Sequence, residues 1–277
     1  MTEIYTPKSI QEAISFLAAH PDARPLAGGA TLIAMRNAGL IEASHFVSLS
    51  EIGELQGIAK TGEGIRIGAM TRHRETAECD LLTGSLAVVR QAAGMIANRP
   101  VRNMGTMGGA VSNADPAADY LPALACVDAV VTLAGPDGQR DVPVRTFVQD
   151  WYETALDEGE IVIAITLPAP RNELSLYRKV ARVTGDYATA SCAIAMDGDT
   201  IRVAIGACGP GPIRDTEAEE TLRGHLANPE AVTAFAGQLA ALADPIDDVR
   251  GSAEYRLALI PRLIHAGLRQ MKLAEVA

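Results

Sequence analysis

The chain has 277 residues, of which 48% are hydrophobic and 21% charged, enough apolar content for a sizeable core and two or three domains. Its formal net charge is −10, and no Lys/Arg cluster offsets this locally, which argues against a nucleic-acid partner. No apolar run reaches membrane-span length and the N-terminus lacks a signal pattern, so a cytoplasmic protein without a membrane span is expected.

In chain order, Ser9 and Glu12 fit a capping box ahead of a helix over 9–19, whose apolar face is Ile10, Ala13, Ile14 and Leu17. A short strand at 24–27 leads into Gly28-Gly29. A helix over 31–37 follows, with Thr31 as its N-cap, and then a strand at 46–49. Beyond residue 58 the pattern becomes strand-rich: Ile65-Arg66-Ile67 alternates, 86–97 reads as helix, and 127–133 is a strand ended by the turn at 135–138. The run Ile161–Ile165 is a strand stopped by Pro168, and Pro168-Ala169-Pro170 reads as a linker. Strands at 189–196 and 200–207 flank Asp197-Gly198-Asp199, a hairpin signal, and the chain from Thr216 onward is helical. The fold class is α+β.

Cys79, Cys126, Cys192 and Cys208 show no metal-site or iron–sulfur spacing, so four reduced thiols are expected and no metal site. His73 reads as an exposed loop residue. Tyr177 and Tyr187 read as packing residues, Trp151 as core or interface, and Ser252 as a helix cap.

Two glycine clusters stand out, Ala27-Gly28-Gly29-Ala30-Thr31 and Gly105-Thr106-Met107-Gly108-Gly109. Turns without Cβ let a ligand approach the main chain, and successive N–H groups there make an anion site. Thr106 has a hydroxyl for a phosphate or for a local turn. Asp119 has a carboxylate for ribose hydroxyls or for a helix start. Neither cluster matches the Rossmann or P-loop pattern. On the residues alone, two ordinary turns and one dinucleotide cradle are equally good readings.

The segments AGGATLIAMR, IGAMTRHRE, ANRPVRNMGTMGGAVSNADPAADYLPAL, EIVIAITLP, YRKVARVTGDYATASCAI and DVRGSAEYR occur in this order. Together they resemble the FAD-binding medium subunit of the molybdenum hydroxylases, the family of xanthine dehydrogenase and carbon monoxide dehydrogenase. The resemblance runs over nearly the whole chain.

It implies a two-subdomain FAD-binding fold of the vanillyl-alcohol oxidase and murein-reductase type, followed by a small antiparallel sheet with a helical bundle. The domains would be 1–57 and 58–170 (the FAD-binding subdomains) and 171–277. The implied cofactor is FAD. Its diphosphate would be cradled by Leu26, Ala27, Gly28, Gly29, Ala30, Thr31 and Leu32, together with Thr106, Gly108 and Gly109. Asp119 would lie near the ribityl and adenosine part, Ile96, Ala97 and Val162 would line the flavin, and Lys179 or Arg178 would approach it. Ala30 and Ala110 depart from the family pattern, where the first loop commonly reads AGGTDL or AGGTSL, with threonine at the position of Ala30, and asparagine commonly follows the second Gly-Gly.

The implied function is electron transfer, with no catalytic side chain of the chain's own. FAD would collect electrons from a small [2Fe-2S] subunit, served by a large molybdenum-cofactor subunit, and pass them to an external acceptor. The complex would be a heterotrimer or its dimer. A stand-alone FAD oxidoreductase and a non-enzymatic binding or assembly module are the competing readings. The residues name neither substrate nor acceptor.

Overall fold

A computed structural model describes residues 3–275 apart from residue 198, so the central Gly198 of the expected hairpin turn lies outside the described residues. The chain opens on a parallel sheet. β1 (Glu3–Tyr5) and β2 (Arg24–Leu26) both pair with β3 (His45–Ser48) in the order β1-β3-β2. Parallel strands need crossovers, here α1 (Ile10–Ala19) and α2 (Leu32–Asn37). Ser9 caps α1 through Oγ, which accepts the Glu12 N–H at 3.2 Å. The Glu12 carboxylate reaches Lys8 N–H at 2.7 Å, so the box closes one residue earlier than the usual pattern.

The second sheet is antiparallel, in the order β4-β5-β10-β6-β7. Its strands are β4 (Ile58–Lys60), β5 (Gly64–Gly68), β6 (Val130–Gly135), β7 (Gly138–Pro143) and β10 (Ile161–Pro168). A small ribbon, β8 (Val148–Asp150) with β9 (Glu153–Thr154), lies between β7 and β10 in sequence. The continuous apolar run of β10 is buried on both faces, as a central strand requires. Ile161 and Ile163 join Ile14, Val47, Leu49 and Ile52 under the parallel sheet. Val162, Ile165 and Leu167 join the opposite core, with Val89, Leu124 and Phe147. A register shift between Val162 and Ala164 puts residues three apart on one side.

The helices of this region are α3 (His73–Ala77), α4 (Ala87–Met95), α5 (Arg99–Met104), α6 (Met107–Asn113), α7 (Tyr120–Cys126) and α8 (Val144–Phe147). Strand β6 starts at Val130, three residues later than expected. Helix α7 runs to Cys126, and Asp128 turns the chain at φ +55°.

The third sheet is the antiparallel meander β11 (Leu174–Val180), β12 (Ala190–Asp197) and β13 (Thr200–Gly206). Side chains alternate along β12. Ala193 and Ala195 face the core shared with α4 and α7, where only small residues let the helices come close. Cys192, Ile194 and Met196 face α9 (Thr216–Leu222), α10 (Pro229–Ala241) and α11 (Ala253–Glu275). Each large side chain buried there contributes roughly 1.5–3 kcal/mol of transfer free energy.

The expected linker is anchored. Arg171 N–H donates to Ser85 Oγ at 3.0 Å and Ser85 N–H to Arg171 O at 3.1 Å, while a Cβ on Gly84 would collide with Arg171 O. Cys126, Cys192 and Cys208 are free buried thiols and Cys79 is half-buried. Ser252 Oγ accepts the Tyr255 N–H at 3.2 Å and caps α11, as expected. Among the described residues no helix is long and apolar enough to cross a membrane.

Candidate functional site

A cleft of about 580 Å³ opens where the parallel sheet, the helices following β5 and the loop between β11 and β12 meet. That volume lies within the usual range for cofactor pockets, about 300–1,000 Å³.

The first glycine segment joins β2 to α2. Gly29 has φ +74°, which a side chain would strain. Among the described residues, the amides of Gly28, Gly29, Ala30, Thr31 and Leu32 find no protein acceptor. Thr31 occupies the N-cap position of α2, yet its hydroxyl caps nothing. Five successive free amides and a free hydroxyl form a donor set for an anionic group.

The second segment is not the turn its glycines suggest. Gly108 and Gly109 lie in the first turn of α6, and its amides are already used. Met107 N–H donates to Thr71 O and Gly108 N–H to Ala69 O, both at 2.9 Å, and Gly109 N–H donates to the Thr106 cap at 3.2 Å. These glycines provide space instead. A Cβ on Gly108 would come within 2.5 Å of Ala69 Cβ. One on Gly109 would come 3.5 Å from Ala27 Cβ, and one on Gly28 would collide with Met104 O. The two segments therefore abut, one supplying donors and the other close approach.

Past α4, Ile96 and Ala97 line the cleft, with Ala97 held at φ +41°. Arg102 fixes this bend by donating from Nη1 to Ile96 O at 2.7 Å and to Ala97 O at 3.0 Å. Gly185 closes on the same carbonyl, since a Cβ there would sit 2.7 Å from Ala97 O. Asp186 and Tyr187 continue that wall, backed by Arg250 at 3.4 Å from Asp186 and 5.1 Å from the Tyr187 ring centre. Val162 lines the cleft from β10.

The structure brings together on the cleft wall Ala27 through Leu32, Ile96, Ala97, Thr106, Gly108, Gly109, Asp119 and Val162. Leu26 and Lys179 are not on it. Lys179 is buried behind Asp119, with Nζ 3.0 Å from Oδ1, and it also donates to Met95 O at 2.9 Å. Asp119 Oδ1 further accepts from Tyr177 Oη at 2.7 Å. Asp119 is thus bound inward, and Lys179 does not reach toward the cleft as expected. Burial pushes the Asp119 carboxyl up, against the pull of Lys179 and of the Tyr177 hydrogen bond.

His73 is not an exposed loop residue either. It begins α3, is 4% exposed and lines the cleft. Burial and then the nearby Arg102 charge lower its pKa to about 4, so the imidazole is neutral. Ser112 and Asn113 also line the cleft and were missed. With Gly109 they recur at i, i+3, i+4, a helix-face signal visible only once 107–113 is read as helix.

Comparison with known proteins agrees with this geometry. The domain family described as "FAD binding domain in molybdopterin dehydrogenase" matches residues 1–170, and "CO dehydrogenase flavoprotein C-terminal domain" matches residues 175–271. The chain is 35% identical to the carbon monoxide dehydrogenase medium chain of Hydrogenophaga pseudoflava, over 96% of this chain and 95% of that one. It is 32% identical to the glyceraldehyde dehydrogenase medium chain of Sulfolobus acidocaldarius, over 95% and 96%. A solved carbon monoxide dehydrogenase structure from H. pseudoflava superposes with a TM-score of 0.93 at 35% identity, covering 98% of this chain and 97% of that one. The free amides beside a glycine contact, the α+β fold and these matches converge: the chain belongs to the FAD-binding medium subunits of the molybdenum hydroxylases, and it is an oxidoreductase subunit whose cofactor is FAD.

Proposed function

We propose that this chain is the electron-transferring subunit of a three-part complex. It takes electrons from the [2Fe-2S] centres of a small subunit, which a large molybdenum-cofactor subunit supplies, and passes them to an external acceptor. The single observation that carries this reading is the row of unpartnered amides at Gly28–Leu32 beside the Gly109 contact, in a cleft of dinucleotide size. The relatives named as medium chains support the partners.

The cleft fits FAD on its own chemistry. The amides and the Thr31 hydroxyl would hold a diphosphate, and Gly28 and Gly109 let the two glycine segments pack against each other beside that row. Ile96, Ala97 and Val162 offer an apolar wall for a flat ring, and Arg102 keeps the first two in place. Bound FAD supplies the redox chemistry; the chain binds, orients and shields it. We assign 1–57 and 58–170 to the two FAD-binding parts and 171–277 to the third, so that all three border the cleft.

The test is anaerobic mixing of the FAD-loaded chain with its reduced small subunit. Bleaching of the flavin absorbance as the cluster reoxidises supports the reading. An unchanged flavin, with FAD bound in stoichiometric amount and the two chains associated, overturns the electron-transfer role.

A further inference from the structure

The matched FAD-binding domain ends at residue 170, yet Gly185, Asp186 and Tyr187 of the cleft wall come from the third part of the chain. They sit at the tip of the loop between β11 and β12. The base of this loop is closed where Thr189 N–H donates to Val180 O at 2.7 Å, and Gly185 at its tip packs on Ala97. Arg250 braces the loop from the side. Its Nε donates to Asp186 Oδ1 at 3.4 Å, the same oxygen that accepts the Tyr187 N–H at 2.8 Å. Its guanidinium lies 5.1 Å from the centre of the Tyr187 ring. Tyr187 is 40% exposed, so core packing alone does not fix the ring, and the cation over it supplies a further hold. Arg182 adds one hydrogen bond between the same two segments, from Nη1 to Val249 O at 2.8 Å.

The segment that carries Arg250 is anchored through other groups. Arg250 N–H donates to Asp248 Oδ1 at 2.8 Å, and Arg250 O accepts from Thr189 Oγ1 at 3.2 Å. Buried Arg256 donates to Asp248 Oδ1 at 2.5 Å, to Thr189 O at 2.7 Å and to Ala207 O at 2.9 Å. The Arg250 guanidinium is therefore free to act on the cleft wall. We infer that Arg250 is a positioning residue for FAD: through Asp186 and Tyr187 it holds 185–187 against the cleft, so that the third part of the chain helps to retain the cofactor. This rests on the cleft being the FAD site. The brace lies beside Ala97 and not in the amide row at Gly28–Leu32, so it acts on the end of the cleft assigned to the flat ring.

Stopped-flow measurement of FAD uptake and release by the full chain, followed by flavin fluorescence, tests this directly. Arg250→Met should speed release roughly 3- to 10-fold, the worth of one partly exposed ion pair and one cation–ring contact. Association should stay within about twofold, because the brace acts once the cofactor is seated. Arg250→Lys keeps a cation beside Asp186 and Tyr187 and should release FAD at a rate closer to the wild type than to the methionine variant. In a chain already carrying Asp186→Asn and Tyr187→Leu, adding Arg250→Met should change release by less than about twofold, since the groups it acts through are gone. Circular dichroism and the urea midpoint check the fold. If Arg250→Met does not fold, Asp186→Asn tests the ion pair from its other end, with release expected about two- to threefold faster. Release at the wild-type rate from folded Arg250→Met or, in its place, folded Asp186→Asn overturns the inference alone. So does a lysine variant as fast as methionine, slowed association with unchanged release, or the full acceleration persisting in the doubly substituted chain. A wild-type chain that takes up no FAD overturns the reading of the cleft and this inference with it.

Discussion

Arg102 does two things from one position. It closes the Ile96–Ala97 bend with two hydrogen bonds, and its charge helps keep His73 neutral. Arg102→Met should therefore weaken FAD binding and raise the His73 pKa, the latter followed by NMR titration. His73 itself makes stability depend on pH. Above its ordinary pKa of 6.5 the ring is neutral in both folded and unfolded chains, and protonation has no effect. Between 6.5 and about 4 the unfolded chain takes up a proton that the folded chain refuses. Stability is lost over that window, by about 3 kcal/mol at its lower end. Urea titrations of wild type and His73→Gln should diverge there and run parallel above it. The Asp119–Lys179 pair makes a third residue-scale prediction. Lys179→Met leaves a buried carboxylate with Tyr177 as its remaining side-chain partner and should cost about 3–5 kcal/mol, with Asp119→Asn in the same chain restoring much of it. The sequence carried no sign of this pairing. Lys179 and Asp119 are 60 residues apart, and only the placement of β11 behind α7 brings them together.

At the scale of elements, what could be read was what has a strong period. Ile10, Ala13, Ile14 and Leu17 announce α1, and the apolar run of β10 announces a strand buried on both faces. Helices α5 to α7 were hidden. Short length, a proline at the start of α5 and two glycines in α6 erase a periodic apolar face, and glycine has poor helix propensity. What holds α6 is tertiary: the Thr106 cap and the amide bonds to residues 69 and 71. The loop between β11 and β12 was equally silent about its place on the cleft. Its docking depends on Gly185, which combines φ +85° with close approach to Ala97 O. Gly185→Ala should destabilise the chain by about 1–3 kcal/mol, read from the urea midpoint, and should weaken FAD binding as that wall loosens.

For the whole molecule, the family and its cofactor were legible because the motif RNMGTMGG and the segments around it are long and ordered. How the cleft works was not. The glycine clusters look alike in sequence, yet one gives amides and the other gives space. Among the described wall residues Arg24 is the sole Lys or Arg, so an acidic chain can hold a dinucleotide chiefly by main-chain dipoles. FAD affinity should accordingly change little between low and physiological salt, in contrast to a site built on lysines. The central claim is that the abutting glycine segments form that site. It is tested most directly by titrating FAD into the wild-type chain and into Gly109→Val, following flavin fluorescence and checking the fold by circular dichroism. At Gly109 the nearest obstacle to a Cβ is the Thr106 hydroxyl at 2.9 Å, a side-chain atom, so the fold tolerates the change better than at Gly28 or Gly108, where backbone stands in the way. The account predicts saturable binding of one FAD per wild-type chain and at least a roughly tenfold loss in a folded variant, about 1.4 kcal/mol. Equal binding by the two chains, or none by the wild type, would contradict it.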